Sequence, residues 1–126
     1  MERKIKITAG AVEAEAELLT TSTADSIWNA LPFESDCSLW GDEIYFSIPV
    51  DADQDADARA DVDVGELGYW PMGSAFCIFF GPTPVSRNDR PRAASPVNII
   101  GYVVGDATQF RKVKSGARVI LSRADE

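Results

Sequence analysis

Along residues 12–18 the chain alternates without a break. Val12, Ala14, Ala16 and Leu18 fall on one side, Glu13, Glu15 and Glu17 on the other. A period of two marks a strand with one face buried and one in water. Residues 3–8 carry the same pattern through Ile5 and Ile7, and Ala9-Gly10 supplies a turn, so the two segments are expected to form a hairpin. The period then changes. In TADSIWNALP, Ala24, Ile27, Trp28 and Leu31 stand at i, i+3, i+4 and i+7, the apolar stripe of a short helix facing a core. Thr23 is its expected N-cap and Pro32 its stop, since the residue before proline disfavours the helical region.

Strands are expected next at 34–40 and 43–49, joined by Gly41-Asp42. After the acidic run DADQDADARADVD, strand pattern resumes at Val62 and Val64 and at 68–70, and Pro71-Met72-Gly73 turns the chain into AFCIFF. Residues 81–96 show no apolar period and hold four prolines, which predicts a long loop, and loops of that length are often functional. VNIIGYVV at 97–104 is another strand. Asp106 caps a short helix carrying Phe110 and Val113, Gly116 ends it, and 117–123 is the last strand. Eight or nine short strands and two short helices, with no repeat and no linker, predict a single domain over 1–126, mainly β, built as a barrel or sandwich.

Charge and composition narrow the chemistry. The net charge of −8 opposes a phosphate backbone, so no nucleic-acid partner is expected. No apolar run approaches the eighteen or so residues of a membrane helix, and no apolar signal segment follows the N-terminal charges. A cytoplasmic protein with Cys37 and Cys77 as free thiols is therefore expected. There is no histidine, which removes Ser-His-Asp and Cys-His catalysis and histidine-held zinc. Cys77, in an apolar strand with no base beside it, is expected to be inert. The acidic run resembles a calcium loop only in composition. Counting from Asp51 places Ala56 where glycine is needed and Val62 where a bidentate glutamate is needed. A solvated acidic loop is expected, with no metal and no cofactor. The glutamate row on 13–17 is likewise read as a solvated face.

The stretch GSAFCIFFGPTPVS, residues 73–86, joins a bulky apolar strand to two prolines. By alternation Ala75, Cys77 and Phe79 share one face, and Phe76, Ile78 and Phe80 the other. GSAFCI at 73–78 resembles a strand of the cyclophilins, and NIIGYVVGDATQFRKV at 98–113 is similar to their strand-and-helix segment. WGDEIYF at 40–46 and YWPMGSAFCIFFGPTP at 69–84 resemble the small prokaryotic cyclophilin-like family over nearly the whole chain. The resemblance implies a closed eight-stranded barrel with a short helix capping each end. It places Ala75, Cys77 and Phe79 on the outer, ligand-facing surface, and makes prolyl isomerisation the natural enzymatic hypothesis.

Cyclophilins present an arginine to the prolyl amide from a strand whose counterpart here is DEIYFSI, with Glu43 and Tyr45 and no arginine between Arg3 and Arg59. An ionised carboxylate accepts hydrogen bonds and cannot donate them. The expected function is thus a binding domain for a small molecule or an extended, proline-containing peptide, without isomerase activity. A divergent prolyl isomerase is the alternative, and a regulatory or scaffold subunit of a metabolic enzyme is a further one. The expected ligand-binding residues are Trp40, Glu43, Tyr45, Tyr69, Trp70, Ala75, Cys77, Phe79 and Thr83. An apolar concavity with a few placed polar groups is the usual form of such a site. The same side chains have a structural reading, with Glu43 serving a buried tyrosine or tryptophan. Arg87, Arg90 and Arg92 are read either as an anion clamp or as solvating charges on the loop.

Overall fold

The computed structural model describes residues 3–124. Strands β1 (Lys4–Ala9) and β2 (Val12–Leu18) form the expected hairpin, with Ile7 opposite Ala14 and Ile5 opposite Ala16, so both apolar rows enter one buried face. The glutamate row faces outward, and Lys6 Nζ stands 3.5 Å from Glu13. Helix α1 (Ser22–Ala30) begins two residues earlier than its stripe suggests. Thr21, not Thr23, is the cap, its Oγ1 accepting from the Ala24 amide at 3.1 Å. Thr23 shares the buried face with Ala24 and Ile27, which leaves the earlier threonine to turn outward. Trp28 is only half-buried and carries the Arg123 guanidinium 4.4 Å over its ring.

The remaining strands are β3 (Phe33–Asp36), β4 (Ser38–Leu39), β5 (Glu43–Ser47), β6 (Arg59–Asp61), β7 (Glu66–Trp70), β8 (Ala75–Phe79), β9 (Arg92–Val104) and β10 (Arg118–Arg123). Their order in the sheet is β3-β10-β1-β2-β9-β7-β8-β5-β4, with β6 paired to β9 off this path. The two ends of that order, β3 and β4, are separated in sequence by Cys37 alone. One bent strand therefore bonds β10 with its first half and β5 with its second, and the sheet curls into a barrel of eight staves. Closure leaves few strand edges unpaired. Ile5, Ile7, Phe46, Phe76 and Leu121 fill the interior, with Phe46 and Phe76 rings stacked 5.3 Å apart. Ala24 and Ile27 of α1 join the same core, as do Ala107 and Phe110 of the short helix Ala107–Lys112. That helix is of the tighter 3-10 kind; Asp106 caps it by accepting from the Thr108 amide at 2.9 Å. No helix among the described residues is long and apolar enough to cross a membrane.

Two segments depart from the sequence pattern, and together they build the site. The expected loop 81–96 ends at Pro91, because β9 already begins at Arg92. Residues 92–97 leave the barrel wall as an arm that pairs with β6 through a register shift, Arg59 opposite Val97 and Asp61 opposite Arg92. Pro91 and Pro96 hide this strand from periodicity, since proline removes a ladder donor. The strand expected at Val62 and Val64 is instead a turn between β6 and β7. Val62 is buried there and Val64 is half-exposed. The arm lies over the outer face of β7 and β8, where Val62, Cys77, Phe79, Ala93 and Val97 make a second, smaller core outside the barrel. Gly68 permits this close approach, since a Cβ there would stand 2.8 Å from a Val97 methyl.

Candidate functional site

Every residue of β8 is buried, Cys77 and Phe79 against the arm and Phe76 and Ile78 in the barrel. The arm does not cover the outer face completely. Between it and the barrel lies a cavity of about 240 Å³. Trp40, Glu43, Tyr45 and Cys77 line it from the β4–β5 hairpin and β8, and Trp70 from the end of β7. Ala93, Ala94 and Val97 close it from the arm.

Local structure places each group. Gly41, at φ +60°, makes the two-residue turn that carries Trp40 and Glu43, and the Trp40 amide donates to the Glu43 carbonyl at 2.9 Å. Glu43 and Tyr45 are two apart on β5 and so point the same way; across the ladder they stand opposite Phe79 and Cys77. The Trp70 indole N–H donates to Ser95 Oγ at 2.6 Å, which ties the ring to the arm.

Glu43 is the anomaly. It is 6% exposed, and its Oε1 is buried with no hydrogen-bond partner. Burial raises its pKa from 4.5 to about 7, and the neighbouring Cys77 thiol pulls slightly the other way. Burial, then the charge of Glu43, push the Cys77 thiol well above its ordinary range, so it is no nucleophile.

Five of the nine expected site residues meet at this cavity: Trp40, Glu43, Tyr45, Trp70 and Cys77. Ala75 and Phe79 lie buried on the same face of β8 beside it. Tyr69 points into the barrel, where its hydroxyl donates to the Val50 carbonyl at 2.8 Å and accepts from the Ala52 amide at 3.1 Å. Register separates the two aromatic neighbours: Trp70 pairs with outward Ala75, Tyr69 with inward Phe76. Thr83 is a buried clasp, its hydroxyl donating to the Arg92 carbonyl at the start of the arm. Ala93, Ala94 and Val97 were not among the expected residues. Small apolar side chains carry no chemical signal, and only the arm's path brings them there.

The arginines form no clamp on the cavity. Arg59 makes two bonds to Glu66, at 2.9 and 2.7 Å, Arg92 stands 3.1 Å from Asp61, and Arg90 bonds the Val62 carbonyl at 3.0 Å with Asp63 at 3.3 Å. For Glu66 burial works upward, but the Arg59 bonds outweigh it and hold the carboxyl low. Arg92 thus ties the arm to β6, Arg90 ties the loop before it to the turn after β6, and Arg59 ties β6 to β7, while Arg87 is exposed.

The acidic loop is held by Asn98, which is fully buried. Its Nδ2 donates to Thr23 Oγ1 at 3.1 Å and to the Asp53 carbonyl at 2.9 Å, and its Oδ1 accepts from the Asp55 amide at 2.7 Å. Among the described residues no group of three or more Asp, Glu, Cys or His side chains is placed to hold a metal.

No curated protein matches the chain. It is similar to the solution structure of a hypothetical protein from Archaeoglobus fulgidus, at 36% identity, covering 98% of this chain and 95% of that one, with a TM-score of 0.84. The model of the family described as Cyclophilin-like matches residues 3–122. With the barrel, its closure and the motif order all agreeing, the chain belongs to the cyclophilin-like family.

Proposed function

We propose that the protein is a binding domain whose ligand, a small molecule or a short extended peptide, enters the cavity between the arm and the barrel, and that it does not isomerise prolyl bonds. The single observation that supports this most is Glu43, a nearly buried carboxyl with an unpartnered oxygen in an otherwise apolar wall. Buried polar groups in native proteins are almost always paired, and an unpaired one in a cavity is the mark of a binding group. The reading against isomerisation rests on the lining, which holds no arginine to donate to a prolyl amide. Both cysteines are free and buried, which supports a reducing, cytoplasmic setting.

The test is amide NMR on the full chain with a set of Xaa-Pro peptides and metabolite-sized compounds, together with exchange spectra on the peptides. Shifts at Tyr45, Cys77 and Val97 without enhanced prolyl exchange are the expected result. Enhanced exchange with the same shifts restores the isomerase, with protonated Glu43 as the donor. A screen in which no compound moves those amides overturns the site, and a stable complex with another protein in native mass spectrometry then favours a scaffold subunit.

A further inference from the structure

The cavity has one acidic group and no basic one. Its other lining side chains are three aromatics, Trp40, Tyr45 and Trp70, the Cys77 thiol, and the small apolar groups of the arm. The nearby guanidinium groups do not balance Glu43, since those of Arg59, Arg90 and Arg92 are spent on Glu66, Asp63 and Asp61. A carboxyl in that position keeps its proton, takes hydrogen bonds from neutral donors, or, when ionised, is compensated in full only by a positive group. Aromatic faces attract the same kind of group, because their quadrupole is negative at the ring face, and tryptophan is the strongest of them. An anion is repelled by the ionised carboxylate and finds no cation in the lining, and a neutral donor can bond the carboxylate without cancelling its charge. The net charge of −8 also draws cations toward the molecule.

Resting on the reading that this cavity is the binding site, we infer that its ligand is a small organic cation, an amine or quaternary ammonium group seated between Glu43 and the rings of Trp40, Tyr45 and Trp70. Size limits it further. At about 30 Å³ for each water-sized group, 240 Å³ holds roughly eight non-hydrogen atoms. That admits a compound of the size of choline.

Glu43 must be ionised to pair with such a ligand. The groups facing it are the Tyr45 phenol from its own strand and the Cys77 thiol from β8, while β7 and the arm bring only Trp70, Ala93, Ala94 and Val97. Since its carboxyl titrates near pH 7, cation binding strengthens as pH rises through neutrality.

The experiment is a titration of the full labelled chain with choline and with 3,3-dimethylbutan-1-ol, which has the same shape and no charge, at pH 6 and pH 8. The expected result is choline bound at least tenfold more tightly at pH 8, moving the Tyr45 and Cys77 amides, with its advantage cut about tenfold at pH 6. Glu43→Gln, which keeps the shape, is expected to reduce the preference below threefold without changing the affinity for the alcohol. Trp40→Leu is expected to weaken choline several-fold and leave the alcohol unaffected. Equal binding of the two probes overturns the cation and leaves the binding site standing. A choline preference that survives Glu43→Gln, or choline shifts that bypass Tyr45 and Cys77, overturns the inference too, and the wider compound screen then judges the site by itself.

Discussion

Asn98, on the inward face of β9 opposite Tyr69, and Glu43, on the outer face of β5 opposite Phe79, are both buried polar side chains, and the protein treats them in opposite ways. The Asn98 amide bonds Asp53 and Asp55 of the acidic loop and Thr23 of α1, so both its nitrogen and its oxygen are met. Glu43 is nearly as deeply placed and has a carboxyl oxygen with no partner. The first arrangement turns a buried amide into a fastener for a loop that has no apolar pattern of its own. The second leaves desolvation uncompensated, a cost a fold has no structural reason to carry. Stability is commonly spent in this manner where a site must stay ready for something outside the chain.

The comparison predicts opposite signs. Asn98→Ala strands the Asp55 amide and the Asp53 carbonyl, and is expected to cost about 4 kcal/mol in urea unfolding. Faster amide exchange confined to 51–58 and the start of α1 should accompany it. A cost below 1 kcal/mol would mean that the loop holds itself and that the satisfied amide is no fastener.

Glu43→Gln is expected to stabilise. Its folded pKa of about 7 lies above the ordinary 4.5, so the fold prefers the protonated form. The stability Glu43 contributes is fully present below about pH 4.5 and is lost as pH rises through about 7. Glutamine copies the protonated form, so the variant should gain on the order of 2 kcal/mol at pH 8 and almost nothing at pH 4. Unfolding at the two pH values reads this directly. A variant that is less stable at pH 8 would show that the carboxylate has a partner in solution, and the contrast with Asn98 would disappear.

The smallest effect tests the wall of the cavity that the arm provides. Arg59→Ala frees Glu66, and because the arginine is 41% exposed the loss is expected to be about 1 kcal/mol. The more telling readout is local: amides of β6 and of residues 92–97 should exchange faster while those of β1 and β2 do not. Uniform behaviour across the chain would make the arm part of the barrel rather than a cover latched onto it.

Much of the barrel is legible in the pattern because alternation is a local property. The β1–β2 hairpin, the inward row Phe76, Ile78 and Phe80, and the helix stripe at Ala24 and Ile27 each follow from positions two, three or four apart. The arm is not, because Pro91 and Pro96 interrupt it and its face is set by Val97 lying in the space that Gly68 leaves. The candidate site divides along the same line. Trp40, Glu43, Tyr45, Trp70 and Cys77 stand out as residue types with chemistry in two motifs, 40–46 and 69–84, whereas Ala93, Ala94 and Val97 come from fourteen or more residues beyond the end of β8. Tyr69 and Trp70 look equivalent as a pair of aromatics; the ladder against Ala75 and Phe76 sends one outward and one inward.

What the chain determined by itself is most of the barrel strands, which of their faces are apolar, and that no histidine chemistry is available, since all three depend on residue type and near spacing. Tertiary structure alone decided that Glu43 is largely withdrawn from water and that its Oε1 has no partner. Desolvation is a property of what covers a group, and here the cover includes an arm from the far side of a long loop, tied by Arg92 to β6, which Arg59 ties in turn to β7.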